Sequence, residues 1–165
     1  MMAKISQPPH SRALDALEVA IVTALAADAR MSNRQLAARC GIAESTAHTR
    51  RRSLEARGVI TGYRAELSQE ALGNSIQALV GVSLRAGARQ AHIEAFTDHV
   101  RTLAEVTHYY FVGGADDFVL HIAVADSAAL RRFVVECVSG HDSVASTRTS
   151  IIFDHGHSGP AGPVR

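Results

Sequence analysis

Between Ser32 and Gly58 the chain reads SNRQLAARCGIAESTAHTRRRSLEARG, a stretch with room for little except two short helices joined by a tight turn. Ser32 is an N-cap residue, and Gln35 three positions on completes a capping box, so a helix starts at about Asn33. Leu36, Ala37 and Cys40 give it an apolar stripe. Gly41 supplies the left-handed backbone that ends a helix and turns the chain, and Ile42 fills the corner. The spacing predicts a second helix from Glu44 to Arg57, with Ala47 and Leu54 inward and Gly58 as its stop. Its outward face carries Ser45, Thr46, His48, Thr49, Arg50 and Arg52.

Short donors and acceptors near the start of a helix, with guanidinium groups further along, suit a helix that enters a DNA major groove. A solvated basic face on an ordinary helical hairpin is the alternative. Cap, glycine turn and polarity agree with the first reading, and the run Gly58-Val59-Ile60-Thr61-Gly62-Tyr63 is apolar enough to form a wing strand reaching Glu66. Thr46 and His48 are the expected base-edge contacts. Arg51 is the misfit: it lies four residues after Ala47 and three before Leu54, so helical spacing points it inward, and either it snorkels out or the helix is rotated from this assignment. Arg51, with Asn33 and Arg34 at the start of the first helix, completes the candidate DNA-binding set. The formal net charge is only +1, yet residues 1–66 carry 10 Lys and Arg against 6 Asp and Glu, while residues 67–165 carry 7 against 10. A basic front and an acidic back fit a nucleic-acid reader joined to a separate domain.

Ahead of this motif, Leu14, Leu17, Ile21, Ala24 and Leu25 recur at helical spacing and predict a bracing helix over 13–28. The opening MMAKISQPPHSR lacks an apolar core of the secretory kind and reads as a tail. No run approaches the ~18 apolar residues of a membrane span. Cys40 and Cys137 lie among apolar neighbours and read as reduced, buried thiols. A cytoplasmic protein is expected.

After a short turn at Ser68–Gly73 the period changes. Strands are predicted at 75–84, 105–112, 118–125 and 144–153, with helices from Arg89 to Leu103 and from Ser127 through Val138. The order β-α-β-β-α-β is that of a ferredoxin-like sandwich, helices on one face of an antiparallel sheet. Val80, Val82, Phe111 and Leu120 leave apolar material on both faces of the strands, so a partner subunit is expected over the open one. The hairpin Gly113-Gly114-Ala115-Asp116-Asp117 can be a plain turn. It can also present backbone N–H groups to a carboxylate and aspartates to an ammonium group, the two charges of an amino acid.

An enzyme is the competing class. Its candidates are His108, His121 and Asp117, but the chain has no nucleophile motif, no phosphate loop and no metal spacing beyond His155-x-His157. No cofactor or metal is expected. A further alternative is an amino-acid-binding interaction module whose front half contacts protein.

Assembled in order, the chain resembles the leucine-responsive and asparagine (Lrp/AsnC, feast/famine) regulators over about residues 13–155. The resemblance is carried by Leu14-Asp15, Asn33 to Leu36, Gly41-Ile42, Arg50, Leu54-Glu55, Gly58 to Ile60, Gly62-Tyr63, Val112-Gly113-Gly114, Asp117-Phe118, Leu120, Thr147 and Thr149. It implies an α+β chain: an N-terminal winged helix-turn-helix at 13–66, a linker at 67–73, and a ferredoxin-like βαββαβ effector-binding and oligomerisation domain at 74–155, with tails at 1–12 and 156–165. It further implies double-stranded DNA as partner, homodimers formed through the sheets that assemble into tetramers or octamers, and an amino-acid effector bound at Gly113, Gly114, Ala115, Asp116, Asp117, Thr147 and Thr149. Two positions depart from the family: Arg51 stands where an apolar residue is usual, and Ala115 where many members are acidic.

Overall fold

The computed structural model describes residues 13–156. The expected tail at 1–12, and His157 of the His-x-His pair, lie outside the described residues. The chain divides into two compact units between Glu66 and Leu67.

Among its described residues the front unit has three helices: α1 (Ala16–Ala27), α2 (Asn33–Cys40) and α3 (Glu44–Ala56). Asp15 caps α1, its carboxylate accepting from Glu18 N at 2.8 Å while Glu18 Oε2 accepts from Asp15 N at 3.1 Å. The expected box at α2 forms as well: Gln35 N donates to Ser32 Oγ at 3.2 Å and Ser32 N to Gln35 Oε1 at 2.9 Å. Gly41, at φ 66°, ends α2 in the left-handed conformation that a residue with a Cβ adopts only at a cost. Ile21, Ala24, Leu25, Leu36, Ala37, Ala47 and Leu54 close the core, so the amphipathic pattern of the sequence is the pattern of burial.

The wing strand expected over 59–66 does not form. Val59 and Ile60 N–H both donate to Leu54 O, at 2.9 and 3.2 Å, winding the chain off the end of α3, and the residues beyond run without a ladder partner. A strand is made by the strand beside it, and no other exists among the described residues of this unit.

The back unit carries β1 (Ile76–Leu84), α4 (Arg89–Val100), β2 (Val106–Phe111), β3 (Phe118–Val124), α5 (Ser127–Arg132) with a π-helical continuation at Phe133–Ser139, and β4 (Val144–Ile152). The sheet is antiparallel in the order β2-β3-β1-β4, the ferredoxin-like arrangement. The helix predicted to reach Leu103 stops at Val100, where Thr102 Oγ1 bonds back to His99 O at 2.7 Å.

The two faces of the sheet differ from the expectation. Val80, Val82 and Leu120 share one face, buried with Phe96 and Val100 of α4 and Leu130, Phe133 and Val138 of the second helical element. Phe111 belongs to that side too: it pairs in register with Phe118, and their rings lie 5.1 Å apart. Side chains alternate along a strand. The open face is therefore made by the other parity, with Leu79, His121, Val119, Tyr110 and His108 brought together by the register. Leu79 and Tyr110 are 39% and 53% exposed.

Candidate nucleic-acid interface and effector loop

The polar face of α3 is sorted by an anchor in α1. Glu18 is buried, its side chain 3% exposed. It accepts from Arg57 Nη1 at 2.6 Å and Arg50 Nη1 at 3.4 Å, and Arg50 Nη1 also reaches Asp15 Oδ2 at 2.7 Å. Backbone N–H groups and these guanidiniums hold both acids below the usual carboxylate range: Glu18 through Asp15 N–H and then Arg57, Asp15 through Glu18 N–H and then Arg50. Arg50, expected on the outward face, is thus turned back onto α1. A carboxylate pair 35 and 32 residues away in sequence claims it.

Arg51 is accommodated without a free charge. Its Nε donates to Tyr63 OH at 2.9 Å and Glu55 Oε1 at 3.2 Å, its Nη1 to Met31 O at 3.4 Å, and its guanidinium lies 4.8 Å from the Tyr63 ring centre. Tyr63 OH in turn donates to Glu55 at 2.8 Å. These partners explain how an inward-spaced arginine is tolerated.

What remains open is a compact surface. Ser45, Thr46, His48, Thr49 and Arg52 of α3, and Arg34 of α2, are exposed. Among the described residues Arg34 and Arg52 form no ion pair. Asn33 is half-buried and its Nδ2 lies 3.1 Å from His48 Nδ1. Unpaired guanidiniums beside short hydroxyl side chains can meet phosphates and base edges.

In the back unit the loop Gly113–Asp117 is drawn over the end of β1. Asp117 N donates to Val82 O at 2.8 Å, Val112 N to Asp117 O at 2.9 Å, and Ser83 Oγ to Ala115 O at 3.3 Å. Both aspartates, expected as open acceptors for an ammonium group, are already engaged. Asp117 accepts from Leu84 N at 2.7 Å and pairs with Arg89, and these two contacts, in that order, lower its pKa. Asp116 pairs with Arg148 at 2.6 Å. It lies on Gly81, where a Cβ would come within 2.6 Å of Asp116 Oδ2, so glycine here makes room for the carboxylate. Arg148 is the register partner of Gly81 on β4. Thr147 and Thr149 pair with Val82 and Val80 and so sit on the helix-facing side, where Thr147 Oγ1 lies 3.0 Å from Ser139 Oγ.

The residues weighed for catalysis are dispersed. Asp117 is fixed at the loop, whereas His108 and His121 stack mid-sheet on the open face at 5.8 Å, with His121 Nε2 3.0 Å from Gln77 Oε1. Cys40 and Cys137 are free and half-buried, and burial followed by Glu105 and Glu136 raises the Cys137 pKa, keeping it a neutral thiol. Sequence spacing did not reveal Glu18, Arg89, Arg148 or the Asn33–His48 contact. Asp15-x-x-Glu18 as a cap signature, and a glycine inside strand β1, were the available signals.

Three helices with an open polar face on the last, followed by a ferredoxin-like domain with a glycine loop, define a helix-turn-helix regulator with a ligand-binding domain. Two family models match in that order: a winged helix-turn-helix DNA-binding domain over residues 14–61 and the Lrp/AsnC ligand binding domain over 77–157. The HTH-type transcriptional regulator AldR of Mycolicibacterium smegmatis is 44% identical over 146 residues, 88% of this chain and 85% of AldR. A transcriptional regulator of Neisseria meningitidis solved in complex with L-methionine superposes with a TM-score of 0.84 at 26% identity, covering 92% of this chain and 97% of that one. The crystal structure of the Mycobacterium tuberculosis AldR gives 0.68 at 38% identity, covering 90% and 99%. The chain belongs to the Lrp/AsnC family of transcriptional regulators.

Proposed function

We propose that this DNA-binding regulator is a cytoplasmic homo-oligomer whose hold on DNA is set by an amino acid bound at the Gly113–Asp117 loop, and that it has no catalytic activity. The carrying observation is the bare face of α3: Ser45, Thr46, His48, Thr49 and Arg52 are exposed beside Arg34, while Arg50, Arg51 and Arg57 are consumed within the front unit. The free set contacts DNA, and the consumed set orients the helix that carries it.

Amino-acid binding is supported by the loop's chemistry and by the L-methionine held by the Neisseria regulator. The N–H groups of Gly113, Gly114 and Ala115 have no partner among the described residues, which suits them to a carboxylate. The aspartates are neutralised by Arg89 and Arg148, so the ammonium group meets another acceptor, such as a carbonyl oxygen of the loop or a group from a second subunit. Leu79, Val119 and Tyr110 on the open sheet face supply the apolar surface for that second copy.

The test is a titration of the full chain against DNA selected from genomic fragments, at two salt concentrations, with and without a mixture of amino acids. Specific binding that weakens steeply with salt and shifts with the mixture is expected. Binding indifferent to salt would point to a protein-contacting module, and binding indifferent to every amino acid would remove the loop as effector site.

A further inference from the structure

We infer that Asn33 fixes the tautomer of His48, so that His48 reads DNA as a hydrogen-bond donor from Nε2 and rejects cytosine at the position it touches. The inference rests on the reading of α3 as the recognition helix.

Asn33 opens α2 and His48 lies in α3, so their contact spans the two helices of the motif. Asn33 Nδ2 stands 3.1 Å from His48 Nδ1. An amide nitrogen donates and cannot accept, so Nδ1 must be the bare nitrogen of a neutral imidazole, and the proton is on Nε2. The opposite amide orientation is the poorer one. Asn33 Oδ1 is buried without a partner among the described residues, and turning the amide over would place two N–H donors where one carbonyl oxygen now lies. Asn33 is held at the helix junction and His48 is exposed, so one ring edge is spent inside the protein and Nε2 is left for a ligand.

A donor needs an acceptor. In the major groove guanine offers N7 and O6, adenine N7, and thymine O4, but cytosine offers only its amino group. With Nε2–H facing that edge, cytosine would meet donor with donor. Asn33 is thereby a positioning residue for specificity without touching a base, and Thr46, Ser45 and Thr49, whose hydroxyls rotate freely between donor and acceptor roles, carry no such restriction.

The experiment scans every base of a selected operator with the full chain and its His48→Ala and Asn33→Ala variants, alongside magic-angle-spinning NMR of the 15N-histidine-labelled full chain, with His48→Ala assigning the signal. At one position of each half-site the wild type should disfavour cytosine by roughly 3- to 10-fold, the worth of one neutral hydrogen bond. Both variants should flatten that position alone and leave the salt dependence unchanged. The spectrum should show Nε2 protonated and Nδ1 bare, and should lose that preference in Asn33→Ala. A proton on Nδ1 in the wild type, or a base profile blind to His48→Ala, overturns the inference while leaving the regulator standing. Failure to bind any DNA overturns both. Should Asn33→Ala not fold, the wild-type spectrum and the His48→Ala profile still decide.

Discussion

The two units handle charge in opposite ways. On the front unit, Arg34 and Arg52 are exposed beside the hydroxyls of α3 with no ion pair among the described residues, while Glu18 and Asp15 collect the arginines that brace the helix. On the back unit the loop expected to read a charged ligand has no free charge: Asp116 is matched by Arg148 and Asp117 by Arg89. The targets proposed above would account for the difference. A polyanion is held by cations whose counterions it releases, so each unpaired arginine adds affinity and salt dependence. A small zwitterion is held by fixed geometry, and a loop whose charges are already settled spends nothing on rearrangement when it binds.

The largest break in this comparison should come from the anchor. Glu18→Ala removes the buried acceptor of Arg57 and Arg50. It should lower the melting temperature of the front unit on the order of 10 °C and abolish specific DNA binding, with the assembled mass of the protein unchanged. A variant that melts like wild type would mean that Asp15 alone suffices. Next in size, replacing both Arg34 and Arg52 by alanine should weaken DNA binding and reduce the slope of log affinity against log salt by about 2. Arg50→Ala should instead destabilise the front unit with little change in slope. Equal slope changes for Arg50 and Arg52, measured by fluorescence titration, would refute the division into free and consumed arginines.

That division marks where the sequence stops being legible. The Ser32–Gln35 cap, the Gly41 turn and the inward Ala47 and Leu54 are local, set by neighbours within one or two turns, and were readable. Arg50 looked outward because its partners lie 32 and 35 residues away and only the packing of α1 on α3 brings them near. The sheet shows the same limit. Its βαββαβ order followed from period alone, but which parity of β1 faces the helices depends on register against β3 and β4, and Val80, Val82 and Phe111 were placed accordingly only once the pairing was known. Thr147 and Thr149 were tied to the loop by resemblance, and their side of the sheet is likewise a matter of register.

A smaller effect sharpens the back half of the comparison. Gly81→Ala puts a methyl group 2.6 Å from Asp116 Oδ2 and must push that carboxylate, with its Arg148 partner, off the face of β1. If a settled loop is what binds the effector, the variant should bind its amino acid about 10-fold more weakly by calorimetry while keeping its DNA affinity in the absence of effector. Unchanged effector affinity would show that the Asp116–Arg148 pair is incidental to the site.

The smallest expected effect is with acid, and the pH at which it sets in separates the units. Burial, then His108 and His155, lowers the pKa of His121 below 6.5, with Gln77 Oε1 the polar atom in contact; burial, then His99, lowers that of His141 against an opposing pull from Asp142. Such groups bind fewer protons folded than unfolded, so the back unit loses stability as pH falls from about 6.5 toward their depressed values. The lowered groups of the front unit are carboxylates, Glu18 and Glu55 from 4.5 and Asp15 from 3.8, whose contribution is complete above those values and is lost only below them. Between pH 7.5 and 5.5 hydrogen exchange, corrected for intrinsic rates, should show protection falling in β1 and β3, equivalent to about 2 °C in melting temperature, while α1 and α3 hold. The order should reverse below pH 4.5, where protonation of Glu18 releases Arg50 and Arg57. Loss of protection in α3 ahead of β3 on mild acidification would contradict the assignment of the acid-sensitive histidines to the back unit.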